Sequence, residues 1–234
     1  MKNFTFLEFS SQTALVTEIT GRIANSLIAA INKRGCASLA VSGGTTPMPM
    51  FEALSSVDLD WDKVVVSLVD ERWVDVFDKD SNENLVRSHL MKNRAAAAGF
   101  IGMKTGALTA SAGEKECAER LKQHIPMPYD VMVLGMGGDG HTASLFPGAE
   151  KLPAAVDLAS GHICMAIAPA TASHERMTLT LPAILNTGEI IVHISGAEKQ
   201  KVYEHAISEG PVTEMPIRYV LRQEKVPVTV YWAP

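Results

Sequence analysis

The sequence predicts a doubly wound α/β fold, in which a mainly parallel sheet carries helices on both faces. Short apolar runs alternate with segments of helical period, and this alternation is typical of a parallel sheet covered on both sides. The runs are mostly rich in Val and Ile and largely apolar on both faces, as buried parallel strands are. No internal repeat, low-complexity tract or long linker divides the chain, so residues 1–234 are expected to form a single domain.

The first predicted element is an amphipathic helix that ends near Gly35. Its apolar residues recur every four positions, at Leu15, Ile19, Ile23, Leu27 and Ile31. That spacing places them along one face of a helix. Further helix-like segments span residues 82–91, 114–124 and 198–207.

Six apolar runs are the predicted strands. They span residues 37–41, 64–69, 131–134, 164–168, 190–194 and 228–232. The first three are each followed at once by a cluster of Gly, Ser, Thr, Asp, Arg or His. Ligands bind at the carboxyl ends of strands in open parallel sheets. The three clusters therefore predict one composite site, provided that the three strands are neighbours.

Composition excludes some classes of partner. Hydrophobic residues make up 47% of the chain and the net charge is −5, which gives no electrostatic reason to bind nucleic acid. An anionic ligand would need a few local Lys and Arg residues. Glu8 and Glu18 argue against a signal peptide, and no apolar run approaches the roughly 20 residues that span a bilayer. We expect a cytoplasmic protein without a membrane partner; the oligomeric state stays open.

Neither cysteine nor histidine spacing indicates a metal site. Cys36, Cys117 and Cys164 are odd in number, far apart and form no CxxC pair, so we expect small buried apolar side chains. Six histidines show no HExxH or comparable ligand spacing: His89, His124, His162, His174, His193 and His205.

The first cluster, residues 42–47, reads Ser-Gly-Gly-Thr-Thr-Pro. Gly43 and Gly44 let the backbone turn and approach a ligand closely. Thr45 and Thr46 add hydroxyl donors, and the proline suits the first turn of a following helix, whose N–H groups can bind an anion. An ordinary turn between a strand and a helix, without a bound ligand, could have the same sequence.

The second cluster, residues 70–73, reads Asp-Glu-Arg-Trp. Asp70 could orient a water or bind sugar hydroxyls, and Arg72 could hold a phosphate with two parallel hydrogen bonds. For the triplet taken alone, an exposed ion pair closing a strand is the simpler interpretation.

The third cluster, residues 135–144, is the most specific. It holds four glycines with Asp139 and His141. An ordinary imidazole titrates near pH 6.5 and can accept a proton at neutral pH, while an aspartate two residues earlier can fix its tautomer or orient the water. A purely structural histidine would not need glycines around it.

Neither dinucleotide binding nor a serine nucleophile is supported by the sequence. Gly135, Gly137 and Gly140 match G-x-G-x-x-G, but Pro147 and Gly148 break the chain where a dinucleotide fold requires a long helix. No G-x-S-x-G elbow is present, so a serine nucleophile is not indicated.

Taken together, residues 42–47, 70–74, 81–84 and 135–148 resemble the 6-phosphogluconolactonase family, within the glucosamine/galactosamine-6-phosphate isomerase superfamily. Residues 175–180 and 196–199 fit it too, and the likeness runs through the whole chain in order. The resemblance implies a doubly wound α/β sheet, no metal or organic cofactor, and hydrolysis of a sugar-phosphate lactone.

The resemblance also assigns roles to residues. It implies that His141 is the general base and Asp139 its partner. The phosphate would bind to the loop from Gly43 to Thr46 and to three cations. Asp70 would line the sugar pocket, and the resemblance does not assign its role there. The three cations are Arg72, Arg176 and Lys199; by sequence alone each of the last two looks like a solvated surface charge.

Two alternatives remain. An aminosugar-phosphate deaminase or isomerase shares the first and third motifs, but that family carries a proton-exchanging glutamate where this chain has Phe146, and a tyrosine where it has Arg72. A non-catalytic sugar-phosphate sensor would need a DNA-binding module, for which the chain has no residues to spare.

Overall fold

The computed structural model describes residues 4–169 and 172–234. The strands in this part of the chain are β1 (Phe4–Glu8), β2 (Ala37–Val41), β3 (Val64–Leu68), β4 (Asp70–Arg72), β5 (Gly99–Ile101), β6 (Tyr129–Leu134), β7 (Cys164–Ile167), β8 (Arg176–Leu179), β9 (Thr187–Ser195) and β10 (Val228–Ala233). Seven of them form a sheet in the order β1-β10-β9-β6-β2-β3-β5, and every neighbouring pair is parallel. The predicted parallel sheet is confirmed.

Helices occupy the connections between the strands. They are α1 (Gln12–Arg34), α2 (Met48–Ser55), α3 (Asn82–His89), α4 (Ala110–His124), α5 (Leu152–Val156), α6 (Leu181–Ile184), α7 (Gly196–Ile207) and α8 (Ile217–Leu221). The connections from β2 to β3 and from β9 to β10 step towards opposite edges of the sheet. Because such crossovers are right-handed, their helices lie on opposite faces, as a doubly wound fold requires.

Helix α1 forms as its four-residue period predicts. The hydroxyl of Ser11 caps its first turn by accepting from the N–H of Ala14 at 3.2 Å. Gly35 ends it with φ +79°, where the glycine N–H donates to the Ile31 carbonyl at 2.8 Å. Its periodic apolar face is buried against β2, β6 and β10.

By length and composition alone, α1 is apolar enough to span a membrane. The helix is not an uninterrupted apolar run, because the charged residues Glu18 and Arg22 lie within residues 12–32. The core helix of an α/β protein meets the same criterion. Leu15, Ile19 and Ile23 have no exposed surface, so the apolar face is already covered by the sheet.

A second, three-stranded sheet was not predicted. Its order is β4-β8-β7 and both pairs are antiparallel, so the run at residues 164–168 is not a strand of the parallel sheet. Val69 joins the two sheets: its N–H donates to Val41 at 3.0 Å and its carbonyl accepts from Leu179 at 2.8 Å. The chain can therefore leave β3 and begin β4 within two residues.

Two edge strands were also missed. β1 and β5 lie at the two edges of the parallel sheet and are only partly buried, so neither forms the continuous apolar run of a central strand. The cysteines are free: Cys117 and Cys164 are buried as expected, whereas Cys36 is half-buried.

Candidate active site

A cavity of about 770 Å³ opens where the three sequence clusters meet. Strands β6, β2 and β3 are neighbours, which confirms the condition on which a composite site depended. Nine of the ten predicted site residues line the cavity: Gly43, Gly44, Thr45, Thr46, Asp70, Arg72, His141, Arg176 and Lys199. The tenth, Asp139, is hydrogen-bonded to the ring of His141 and does not line the cavity.

The loop after β2 is tied to the loop after β6 by one hydroxyl. Ser42 Oγ donates to the Val133 carbonyl at 3.1 Å and accepts from the Gly135 N–H at 3.0 Å. Gly44 has φ +93°, a conformation that favours glycine. Across residues 43–46, no N–H donates to another described residue, and α2 starts directly after Pro47. The loop can therefore offer N–H groups to an anion.

His141 and Asp139 form a close pair on the glycine-rich turn. Asp139 Oδ1 lies 2.6 Å from His141 Nδ1 and accepts from the His141 backbone N–H at 3.0 Å. Partial burial opposes ionisation of Asp139, but these hydrogen bonds prevail and lower its pKa to about 2. An ionised carboxylate only accepts hydrogen bonds, so in the neutral form of the ring Nδ1 carries the proton and Nε2 has the lone pair.

Two neighbours fix the plane of the His141 ring. Phe146 stacks on it with ring centres 4.2 Å apart and an interplanar angle of 29°. A Cβ on Gly137 would lie 2.1 Å from His141 Nδ1, so only glycine leaves room for the ring. The Gly137 N–H closes the turn by donating to the His141 carbonyl at 2.8 Å.

Arg72 and Arg176 are direct partners across the antiparallel pair β4–β8. Each has a buried Nε without a hydrogen-bond partner in the described residues. Burial lowers the pKa of Arg176; Asp70 opposes that shift and Arg72 adds to it. Like charges placed directly opposite each other destabilise a sheet. The pair is therefore suited to a bound anion.

The surface-charge interpretation of the two later cations is wrong. Arg176 begins β8 and is half-buried, with its guanidinium 5.9 Å from the centre of the Phe146 ring. Lys199 lies on the first turn of α7 and is half-buried, and its Nζ donates to the Met136 carbonyl at 2.7 Å. Both side chains reach the cavity.

Asp70 and Glu71 are buried, so the exposed ion pair suggested by the triplet is also wrong. Asp70 Oδ2 accepts from the hydroxyl of Ser144 at 2.6 Å. Glu71 accepts from the N–H groups of Asn82 and Glu83, both at 2.8 Å, and thereby caps α3. Burial raises the pKa of Glu71 to about 7, although these backbone donors favour its carboxylate.

Sequence reasoning missed four cavity or supporting residues. Asn82 lies in the motif at 81–84, and Ser144 in the third motif, but neither was given a role. Phe146 was considered only for a proton that it cannot exchange, not for its stacking on the base. His193 lines the cavity with 3% of its surface exposed, and burial lowers its pKa to about 4, so it is neutral.

The alternative chemistries find little support in the structure. Within residues 4–169 and 172–234, no group of three or more His, Cys, Asp or Glu side chains could hold a metal ion. The glycine-rich turn after β6 leads into irregular chain, and the next helix, α5, is five residues long. A dinucleotide-binding turn would open a long helix at that point.

Comparisons with known proteins identify the family. The profile described as "Glucosamine-6-phosphate isomerases/6-phosphogluconolactonase" matches residues 10–232. The chain is 43% identical to a 6-phosphogluconolactonase of Mesorhizobium japonicum, covering 97% of this chain and 94% of that protein, and 41% identical to one of Rhizobium meliloti, covering 97% of both. A crystal structure of a 6-phosphogluconolactonase from Shewanella baltica matches with a TM-score of 0.96 and 45% identity over 99% of this chain and 98% of that one. The chain therefore belongs to the family of glucosamine-6-phosphate isomerases and 6-phosphogluconolactonases.

Proposed function

We propose that this protein hydrolyses 6-phospho-D-glucono-1,5-lactone to 6-phospho-D-gluconate, the lactone step of the oxidative pentose phosphate pathway. The observation that carries the proposal is that one cavity is lined by the paired arginines, Arg72 and Arg176, and by His141. The His141 ring is hydrogen-bonded to the ionised carboxylate of Asp139. The names of the relatives support the same substrate. The proposed chemistry uses water and side chains alone, without a metal or an organic cofactor.

In this proposal His141 is the general base. Because the Asp139 carboxylate holds the proton on Nδ1, Nε2 is free to take a proton from a water molecule. The water oxygen forms a bond to the lactone carbonyl carbon as its proton moves to Nε2. The developing imidazolium is stabilised by Asp139, which stays ionised.

The second half of the reaction returns that proton. The tetrahedral intermediate collapses as the bond between the carbonyl carbon and the ring oxygen breaks. The imidazolium gives its proton to the departing ring oxygen, which becomes a hydroxyl group, and the new carboxylic acid loses a proton to solvent. Proton transfer of this kind typically contributes about 10²–10⁴-fold to the rate.

The cations hold the other end of the substrate. Arg72, Arg176 and Lys199, with the N–H groups of residues 43–46, would bind the phosphate. A phosphate fixed at one end orients the lactone carbonyl towards His141, which lowers the entropic part of the barrier. These local charges also explain how a chain with a net charge of −5 would attract an anionic substrate.

The rival reaction of the same family is isomerisation or deamination of an aminosugar phosphate. Phe146 disfavours it, because that chemistry uses a proton-exchanging glutamate at the matching sequence position. The phenyl ring of Phe146, whose centre lies 4.2 Å from that of the His141 ring, has no proton to exchange. A non-catalytic sugar-phosphate sensor would bind the same ligand without turnover. We further propose that the protein acts in the cytoplasm, since the apolar face of α1 is covered by the sheet.

A two-substrate assay tests the function. Purified protein receives freshly made 6-phosphogluconolactone or glucosamine 6-phosphate, and the release of acid or ammonia is followed against the uncatalysed rate. We expect rapid acid release from the lactone and no ammonia from the amino sugar. Faster release of ammonia than of acid would identify the isomerase reaction, and tight binding of both ligands without turnover would identify a sensor.

A further inference from the structure

Asn82 lies where β4 and the loop after β2 meet the cavity. It is the first residue of α3, directly after the N-cap Ser81. Its side chain lines the cavity although only 2% of the residue is exposed. Neither the base nor the anion site proposed above uses this side chain.

The amide of Asn82 can take only one orientation. Its Nδ2 donates to the backbone oxygen of Asp70 at 2.8 Å and to Asp70 Oδ1 at 3.3 Å. The flipped amide would set its own oxygen against these two acceptors, and the atoms would repel each other. Both amide hydrogens are therefore directed at Asp70, and Oδ1 is left as an acceptor.

That acceptor has no partner. Asn82 Oδ1 is buried and receives no hydrogen bond from any described residue. It lies 1.9 Å from the position that a Cβ on Gly43 would take, so the absence of a side chain at Gly43 is what makes room for it. Buried acceptors in native proteins nearly always have a donor. The missing donor is therefore to be sought in the ligand that fills the cavity.

The chemistry of the acceptor selects the kind of group that it can bind. A fully ionised phosphate has no hydrogen to donate, and the Asp70 carboxylate beside the amide would repel it. A sugar hydroxyl donates readily to an amide oxygen. Arg72 lies two residues beyond Asp70 and so on the same face of β4, which places a cation for the phosphate close to acceptors for hydroxyl groups.

We propose that Asn82 is a specificity residue: its Oδ1 accepts a hydrogen bond from a hydroxyl on the carbon chain of the substrate. Asp70 holds the amide in place and is itself held by the hydroxyl of Ser144 at 2.6 Å. The identity of the substrate rests on the function proposed above. The hydroxyl-accepting role rests on the geometry of Asn82, Asp70 and Gly43.

The test combines one variant with four substrates. Wild type and Asn82→Ala are assayed on 6-phosphogluconolactone and on its three forms that lack the hydroxyl at C2, C3 or C4. We expect Asn82→Ala to lower kcat/KM on the complete lactone by about 10-fold or more, the usual effect of losing such a hydrogen bond. On one deoxy form, which lacks the partner hydroxyl, wild type and variant should differ by less than about 3-fold. An equal loss on all four substrates would overturn the proposal, as would no loss on any.

Two controls separate recognition from damage. The first control is Asn84→Ala, a substitution on the same helix. The Asn84 amide donates to the carbonyls of Phe77 and Asp78 outside the cavity, so the substrate preference of this variant should equal that of wild type. Sulfate carries no hydrogen at neutral pH, so its inhibition constant should be the same in wild type and Asn82→Ala. A matching loss of sulfate affinity would show a collapsed anion site and contradict the proposal.

Two further measurements keep the result decisive. If Asn82→Ala does not fold, Asn82→Ser retains a small polar residue at the start of α3 and removes the acceptor from the cavity wall. If wild type fails to turn over the lactone, the proposed function is wrong, but the affinities for 6-phosphogluconate and its three deoxy forms still give the same comparison. Asn82 would then be judged by binding alone.

Discussion

Arg72 and Arg176 face each other across β4 and β8, and the Nε of each is buried without a partner in the described residues. Two like charges in register destabilise the free protein and leave donors for an anion. Their repulsion and the phosphate binding that we propose would thus both follow from one arrangement.

Arg176→Met should therefore weaken phosphate binding without weakening the fold. Inorganic phosphate at about one hundred times its dissociation constant should raise the melting temperature of wild type by about 5–10 °C. We expect Arg176→Met to lose about half of this shift or more, because its affinity for phosphate should fall at least about 10-fold; KM for the lactone should rise by a similar factor. Differential scanning fluorimetry with and without phosphate measures the shift.

The control for this prediction is Arg94→Met, which removes an exposed arginine that pairs with Asp58, neither of which lines the cavity. It should keep the phosphate shift. Without phosphate, Arg176→Met should melt at or above the wild-type temperature, because one member of the repelling pair is gone. A large fall in that temperature would contradict the account of the pair.

Gly137→Ala should inactivate the protein while leaving it folded. The added Cβ would lie 2.1 Å from His141 Nδ1, so the ring must rotate away from Asp139. Misplacing a base in this way should lower kcat by about 10²-fold or more. Steady-state kinetics on the lactone, with circular dichroism as a check of folding, measures the effect.

Gly138→Ala is the matched control, since a Cβ at Gly138 would meet no atom within 4 Å. It lies one residue further along the same turn and should retain most of the activity. If Gly137→Ala were as active as Gly138→Ala, the ring position described here would not be the reactive one.

Asp139 should not add an acid limb of its own to the pH dependence of the reaction. The pKa of Asp139 is lowered to about 2, so its carboxylate stays ionised at every pH above about 4. Because the folded-state pKa lies below the ordinary value, the stabilisation from Asp139 is present above pH 4 and is lost only as the pH falls towards 2. Protonation of Asp139 should therefore contribute no loss of activity between pH 4 and 8.

Asp139→Asn checks this assignment. The neutral amide no longer stabilises the imidazolium, so the acid limb of kcat/KM should move to lower pH, while kcat falls by about 10²–10⁴-fold. A pH–rate profile of wild type and variant measures both effects. An acid limb that stays in place would mean that Asp139 does not interact with the base during the reaction.

Much of the fold was predictable because burial is periodic in this chain. The four-residue repeat of α1 and the apolar runs of β2, β3 and β6 consist of side chains that are buried in the core. β1, β4, β5 and β8 gave no comparable pattern, and the apolar run of β7 predicted a strand but not its place in an antiparallel sheet. Strands at edges are half-exposed, and β4 carries charged residues whose burial depends on partners far along the chain.

The candidate site was predictable where glycines and charges lie next to each other in sequence. The turn from Gly135 to His141 could be recognised from neighbouring residues in the sequence. The lack of a side chain at Gly137 leaves the space that the imidazole occupies. The burial of Arg176 and the role of Asn82 could not be seen in this way. Arg176 becomes unusual only when antiparallel pairing sets it opposite Arg72, and Asn82 only when its amide meets Asp70.

The proposed activation of water by His141 is tested most directly by the rate of lactone opening by His141→Ala. At pH 7, with the lactone generated in the cuvette and the uncatalysed rate subtracted, we predict that kcat falls by at least about 10²-fold. The affinity for inorganic phosphate should be unchanged, because the anion site does not include the imidazole. A His141→Ala protein that opens the lactone at the wild-type rate would contradict the account.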